Sequence, residues 1–79
     1  MAQVTIRYWA GAQAAAGTAT EQDQGETVAD VVEAAVSRHA ALQPVFALAA
    51  LLMDGRRVDR GTALVDGSTL EVLPPFAGG

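Results

Sequence analysis

Val4, Ile6 and Tyr8 alternate with Thr5, Arg7 and Trp9. This period of two, built from β-forming residues, predicts a strand over residues 3–9. The stretch from Gly11 to Gly17 is rich in small residues; its alanines favour a helical turn that the glycines end. Residues 18–23 are polar and weakly strand-like, as an edge strand is. The clearest period follows. Val28, Val31, Val32, Ala35 and Val36 fall at i, i+3, i+4, i+7 and i+8, one face of a helix. Thr27 before the run and Asp30 three residues on resemble a capping box. Arg38 and His39 stand at the far end, where cations suit the helix dipole. The spacing thus predicts an amphipathic helix over residues 28–39 whose β-branched face suits a sheet.

Residues 41–53 read two ways. Pro44 can open a helical turn over residues 44–48, and Ala49 to Met53 can form a strand. Asp54-Gly55 is a two-residue hairpin signal, with Arg56 to Val58 as the short return strand. Asp66-Gly67 marks a second turn, and Leu70 to Leu73 a last strand stopped by Pro74-Pro75. The order β, β, α, β, β, β predicts an α+β fold: a ubiquitin-like β-grasp, with a mixed sheet of about five strands crossed by one main helix. Its architecture implies that the first and last strands run parallel at the sheet centre. Residues 1–79 read as one domain, with 74–79 as an extended, flexible tail ending in Gly-Gly.

Composition narrows the function. A chain of 79 residues holds one core and hardly a deep active-site cavity as well. Hydrophobic residues make up 51% of it, but many are alanine and aromatics are only 5%, so each large apolar residue should matter. The net charge of -4 argues against nucleic acid, whose phosphates need clustered Lys and Arg. No polybasic patch suits anionic lipid, and the longest apolar stretch, Val45 to Met53, is far short of the roughly 20 residues of a membrane span. With no cysteine, disulfides, thiolate chemistry and Cys-based metal sites are out. That fits a reducing cytoplasm, and residues 1–10 show no signal-peptide pattern. His39, the one histidine, has no partner at metal spacing and reads as a helix-end surface residue. Glu21, Asp23 and Glu26 read as a solvated acidic loop. No Ser/His/Asp constellation exists, so the expectation is a chain that is no enzyme by itself, with neither metal nor stably bound cofactor.

The chemistry points to the end of the chain. Leu73-Pro74-Pro75-Phe76-Ala77-Gly78-Gly79 stops the sheet with two prolines and finishes without side chains. Only glycine lets backbone pass that closely through a tight tunnel. Fully extended, residues 74–79 reach roughly 20 Å, enough to enter another protein's active site. Strand alternation also puts Trp9 and Leu73 on the sheet face opposite the helix. Parallel end strands would bring them to the same end, near Phe76, as a partner-binding patch.

On these residues the sequence resembles the MoaD/ThiS family of sulfur carriers, and most of all its molybdopterin-synthase small subunits. The resemblance rests on Val4 to Ala10, on the helix opened by Thr27-Val28-Ala29-Asp30, on Asp66-Gly67 and above all on Leu73 to Gly79. It implies that an E1-like adenylyltransferase/sulfurtransferase uses ATP to adenylate the carboxylate of Gly79, and that a persulfide donor converts it to a thiocarboxylate. It further implies that the tail, Gly78 included, enters the large subunit of molybdopterin synthase in a heterotetramer and gives its sulfur to a cyclic pyranopterin precursor. Trp9, Leu73, Pro75, Phe76 and Ala77 would then be the partner-binding residues. In such relatives the position of Arg57 can be apolar, so the arginine marks a departure. Three readings stand: this subunit; a carrier serving thiamine thiazole, cysteine or a protein target; and an interaction module whose Gly-Gly is incidental.

Overall fold

The computed structural model describes residues 1–75. Five strands form one sheet, β1 (Ala2–Tyr8), β2 (Thr20–Gly25), β3 (Ala50–Met53), β4 (Arg56–Val58) and β5 (Thr69–Leu73), in the order β2-β1-β5-β3-β4. Helix α1 (Gly11–Ala16) follows β1, and α2 (Val28–Arg38) and α3 (Leu42–Leu48) lie between β2 and β3. β1 and β5 are parallel, with Thr5 opposite Thr69 and Tyr8 opposite Val72. Every other pairing is antiparallel. This is the ubiquitin-like β-grasp arrangement expected from the element order.

One face of the sheet carries the core. Val4, Ile6 and Tyr8 from β1, Leu70 and Val72 from β5 and Leu51 from β3 pack against Val28, Val31, Val32 and Ala35 of α2. Leu42 and Phe46 of α3 and Ala12 and Ala16 of α1 close its ends. The helical period holds: Val28, Val31 and Ala35 are fully buried. Asp30 accepts hydrogen bonds from the amides of Glu26 (2.9 Å) and Thr27 (3.1 Å), the carboxylate half of the expected capping box. Gly25 makes room for it, since a Cβ there would stand 2.7 Å from that of Asp30. The first two amides of α2 donate to the carbonyls of Thr62 and Arg60 in the loop ahead of β5, so these helix-end donors are not orphaned.

The turns follow the dipeptides. Asp54 and Gly55 both have positive φ, 49° and 83°, the hairpin geometry that Asp-Gly favours. Gly67 at φ 82° lets the Ser68 amide reach back to the Val65 carbonyl. Both aspartates also tie strands. Asp54 accepts from the Thr69 amide at 3.0 Å, and Asp66 from the Gln3 amide at 2.8 Å.

Several boundaries move. The strand expected over residues 3–9 ends at Tyr8, although the Trp9 amide still donates to the Val72 carbonyl at 3.2 Å. The helix near Pro44 begins two residues earlier, at Leu42. Proline is tolerated there because first-turn amides have no intrahelical partner. Glu21 and Asp23 do not lie in a solvated loop. They alternate inward on β2, where Arg38 pairs with Asp23 at 2.8 Å and with Glu21 at 3.4 Å. Glu21 also accepts from the Tyr8 hydroxyl at 2.7 Å and stands 3.0 Å from His39 Nε2. Burial pushes the Glu21 carboxyl up, yet the bonds from Tyr8, His39 and Arg38 leave it below the ordinary carboxylate value. Burial, with Glu21 as its acceptor, raises Tyr8.

Two outcomes are expected. Val32→Ala should cost about 1–3 kcal/mol by urea unfolding; a value near zero would mean that this helix face is not the core face. Glu21 and Asp30 both have lowered folded-state pKa values, Asp30 through the amides of Glu26 and Thr27. The unfolded chain therefore binds protons first as pH falls, and stability should drop below their ordinary values of 4.5 and 3.8. Urea midpoints taken across acidic pH should show that fall, with a shallower slope in Glu21→Gln.

Candidate functional site

Among the described residues the helices all pack on the core face, and none covers the face of the sheet away from α2. Alternation along the strands and the register place a row across it: Arg7, Glu71, Leu52 and Arg57, from β1, β5, β3 and β4. The next row is Trp9, Leu73 and Ala50, at the end where β5 finishes. Trp9, Leu73, Leu52 and Ala50 are all half-buried. They make an apolar strip flanked by two arginines and one glutamate.

Arg7 stacks on the Trp9 ring, its guanidinium carbon 4.2 Å from the ring centroid, an interaction worth about 0.5–1 kcal/mol at an exposed site. The stack fixes the indole on the open face. The indole N–H is buried and has no hydrogen-bond partner among the described residues. Immediately after Trp9, Ala10 adopts φ 47° and ψ −124°, a region that glycine occupies far more readily than alanine. That bend turns the chain from β1 straight into α1 and leaves Trp9 at the sheet end.

The tail leaves from this strip. Leu73 is the last residue of β5, and Pro74 follows it. Pro74 is buried and Pro75 exposed. Both line an apolar hollow of about 230 Å³ with Gly11, Pro44, Val45 and Leu48. The tail expected from residue 74 therefore begins with a buried residue that shares this hollow with α3. Of the residues singled out in the sequence, Trp9, Leu73 and Pro75 lie together at this end. Phe76, Ala77, Gly78 and Gly79 lie outside the described residues. Leu52, Ala50 and Arg7 were not expected on the face, although alternation along Ala50–Met53 points Leu52 away from the core. The burial of Pro74 had no signal in the sequence, since α3 comes near it only in the folded chain.

Elsewhere the described residues hold no group of three His, Cys, Asp or Glu side chains placed to share a metal ion. No described helix is long and apolar enough to cross a membrane.

The ThiS family model matches residues 6–79, nearly the whole chain and through the last glycine. The chain belongs to the ThiS family. Solved structures agree with this membership. Small archaeal modifier protein 1 from Methanosarcina acetivorans superposes with a TM-score of 0.89 at 27% identity, covering 100% of this chain and 98% of that one. A putative molybdopterin converting factor, subunit 1, from Pyrococcus furiosus gives 0.84 at 26% identity, over 95% of this chain and 99% of that one. The complex of subunits 1 and 2 of the Helicobacter pylori molybdopterin-converting factor gives 0.73 at 19% identity, over 98% and 99%, a likeness of fold. No curated protein shows significant sequence similarity to the chain. Family and fold together make this a ubiquitin-like carrier of the ThiS/MoaD kind, and they give the open face and the chain end their interest.

The strain at Ala10 is testable. Ala10→Gly should stabilise the fold by about 1 kcal/mol, the lower end of what such backbone conformations cost. The urea midpoint should rise; a fall would mean that the bend carries no strain.

Proposed function

We propose that this chain is a sulfur carrier whose working group is the carboxylate of Gly79, and that it serves as the small subunit of molybdopterin synthase. The observation that supports this most is the origin of the tail. Leu73 stands between Trp9 and Ala50 on the open face, and the chain runs on from there towards Gly78-Gly79. A partner that encloses the tail must grip the domain at its base, and the apolar strip lies at that base.

In this reading an E1-like enzyme binds the carrier and ATP. The Gly79 carboxylate attacks the α-phosphorus and pyrophosphate leaves. A free carboxylate is a poor electrophile, whereas the acyl-adenylate has AMP as a good leaving group. The terminal sulfur of a persulfide donor attacks the acyl carbon and AMP leaves, giving an acyl disulfide. A thiol then attacks the donor's sulfur, is oxidised to a disulfide with it, and releases the thiocarboxylate, a soft nucleophile. The chain has no cysteine, so no thiol of its own competes for that sulfur. Residues 75–77 thread the entrance of the large subunit, and Gly78 and Gly79 go deepest, where side chains do not fit. The receiving molecule is a cyclic pyranopterin precursor. The carrier itself contributes position and a sulfur atom, and catalysis belongs to the partner.

The likeness to small archaeal modifier protein 1 favours a second reading, in which activated Gly79 is joined to an amine of another protein. The two part after adenylation, one at sulfur and the other at nitrogen.

Deleting Gly79, or adding one residue after it, should abolish sulfur transfer and leave the thermal midpoint nearly unchanged. Normal sulfur loading of the truncated chain, read by intact mass, would end the carrier reading. Trp9→Ala should weaken binding to the large synthase subunit at least tenfold, about 1.4 kcal/mol, as loss of an aromatic anchor does. Titration calorimetry reads the affinity and thermal unfolding controls for the fold. Unchanged affinity would move the docking surface elsewhere, and a collapse of stability would make Trp9 part of the fold's support.

A further inference from the structure

None of the 79 residues is lysine. All five cationic side chains, Arg7, Arg38, Arg56, Arg57 and Arg60, are arginine. A guanidinium stays protonated in water and offers no lone pair to an acyl group. Lysine is the ordinary protein amine that takes an activated carboxyl, and cysteine is the ordinary thiol. This chain has neither.

The remaining nucleophiles are held back by the fold. The Tyr8 hydroxyl is in the core and donates to Glu21 at 2.7 Å, and burial raises its pKa further. Ser68 is buried and its hydroxyl donates to the Val65 carbonyl at 2.6 Å. His39 Nε2 lies 3.0 Å from Glu21. A serine or threonine hydroxyl needs an adjacent base before it attacks, and among the described residues no hydroxyl is hydrogen-bonded to His39. The α-amine of Met1 sits at the start of β1, while the tail leaves from the far end of the parallel β1–β5 pair. Eight residues of strand separate Met1 from Trp9, roughly 26 Å at about 3.3 Å per residue. The six residues of the tail reach roughly 20 Å and start at the Trp9 end, so a chain does not close on itself.

We propose that this chain presents no side-chain acyl acceptor to an activated Gly79, whether its own or that of another copy. A unit attached through Gly79 then offers no side chain on which a further unit could be built, and the α-amine of Met1 is the one amine it carries. The inference rests on Gly79 being the activated group, as in the function proposed above. The step concerned is ordinary aminolysis. The amine nitrogen of an acceptor attacks the Gly79 carbonyl carbon, a C–N bond forms, and the bond to AMP or to a thiol breaks. The amine proton leaves with that group. Nothing is oxidised or reduced. On a lysine-bearing carrier, activated copies that met would be consumed as chains. On this surface the acyl group waits for sulfur or for a foreign amine.

The test installs the activated group chemically. Each chain is assembled by peptide synthesis with an aryl thioester at Gly79 and with the α-amine of Met1 acetylated while side chains are still protected, so that an introduced lysine keeps its amine. It is incubated in mildly alkaline buffer, and products are read by denaturing gel and intact mass. Acylation of added lysine amide shows that the thioester is live. The wild-type chain should give hydrolysed monomer and no covalent dimer. Arg56→Lys, which puts one amine on the exposed β4 strand, should give dimers and longer ladders. A lysine-rich acceptor protein should gain mass in steps of one unit, with no unit joined to another. Covalent wild-type dimer at the level of Arg56→Lys would overturn the inference. Because no activating enzyme takes part, failure of enzymatic adenylation would count against the carrier reading and would leave this result standing.

Discussion

The pairing of β1 with β5 joins the first residues of the chain to the last strand, and the rest of the molecule is arranged around it. A parallel pair cannot be closed by a hairpin; it needs a long crossover. All of β2, α1, α2, α3, β3 and β4 are spent on that connection. The register of the pair decides what shares a face. With Tyr8 opposite Val72, the alternation sends both into the core and leaves Arg7, Glu71, Trp9 and Leu73 on the other side. A slip of β5 by one residue would turn Glu71 into the core and Leu70 and Val72 out of it. Asp54 and Asp66 guard against it by accepting amides from Thr69 and Gln3, one at the start of each strand.

Polar groups do a second job at the edge. β2 is an edge strand, open to unwanted pairing. It is held to the body by Arg38 from the end of α2, which reaches Glu21 and Asp23 together, and by the Tyr8 hydroxyl beneath. The acidic residues are thus largely committed to the helix side, to the cap of α2 and to turns. The open face carries Arg7 and Arg57 against Glu71. A chain of net charge -4 consequently shows its least acidic side where its tail begins.

Much of this was legible in the sequence because local rules and tertiary packing agree. The valines of α2 repeat at helical spacing and are buried as that spacing requires. Asp54-Gly55 and Asp66-Gly67 make the turns that their backbone preferences allow. What stayed hidden depends on contacts distant in sequence. Glu21 and Asp23 look like any solvated acidic run until Arg38, fifteen residues past Asp23, turns out to stand over them. Pro74 looks like the first residue of a tail until α3 packs beside it. Ala10 carries no mark of its positive φ, since alanine is a residue one expects in a helix. The Gly-Gly end was the opposite case. The chemistry proposed for it rests on residue type and order, and the family match runs through Gly79 without any side-chain geometry.

The parallel centre also decides how the domain answers to force. Tension applied between the start of β1 and the end of β5 would draw on the parallel pair from its two ends. Because β1 enters at the opposite end of the pair, that pull runs along the strands, and the hydrogen bonds between them are loaded together in shear. An antiparallel exit would have opened them one at a time, like a zipper. Stretched between its first strand and its last, the domain resists as a block and is not peeled open strand by strand.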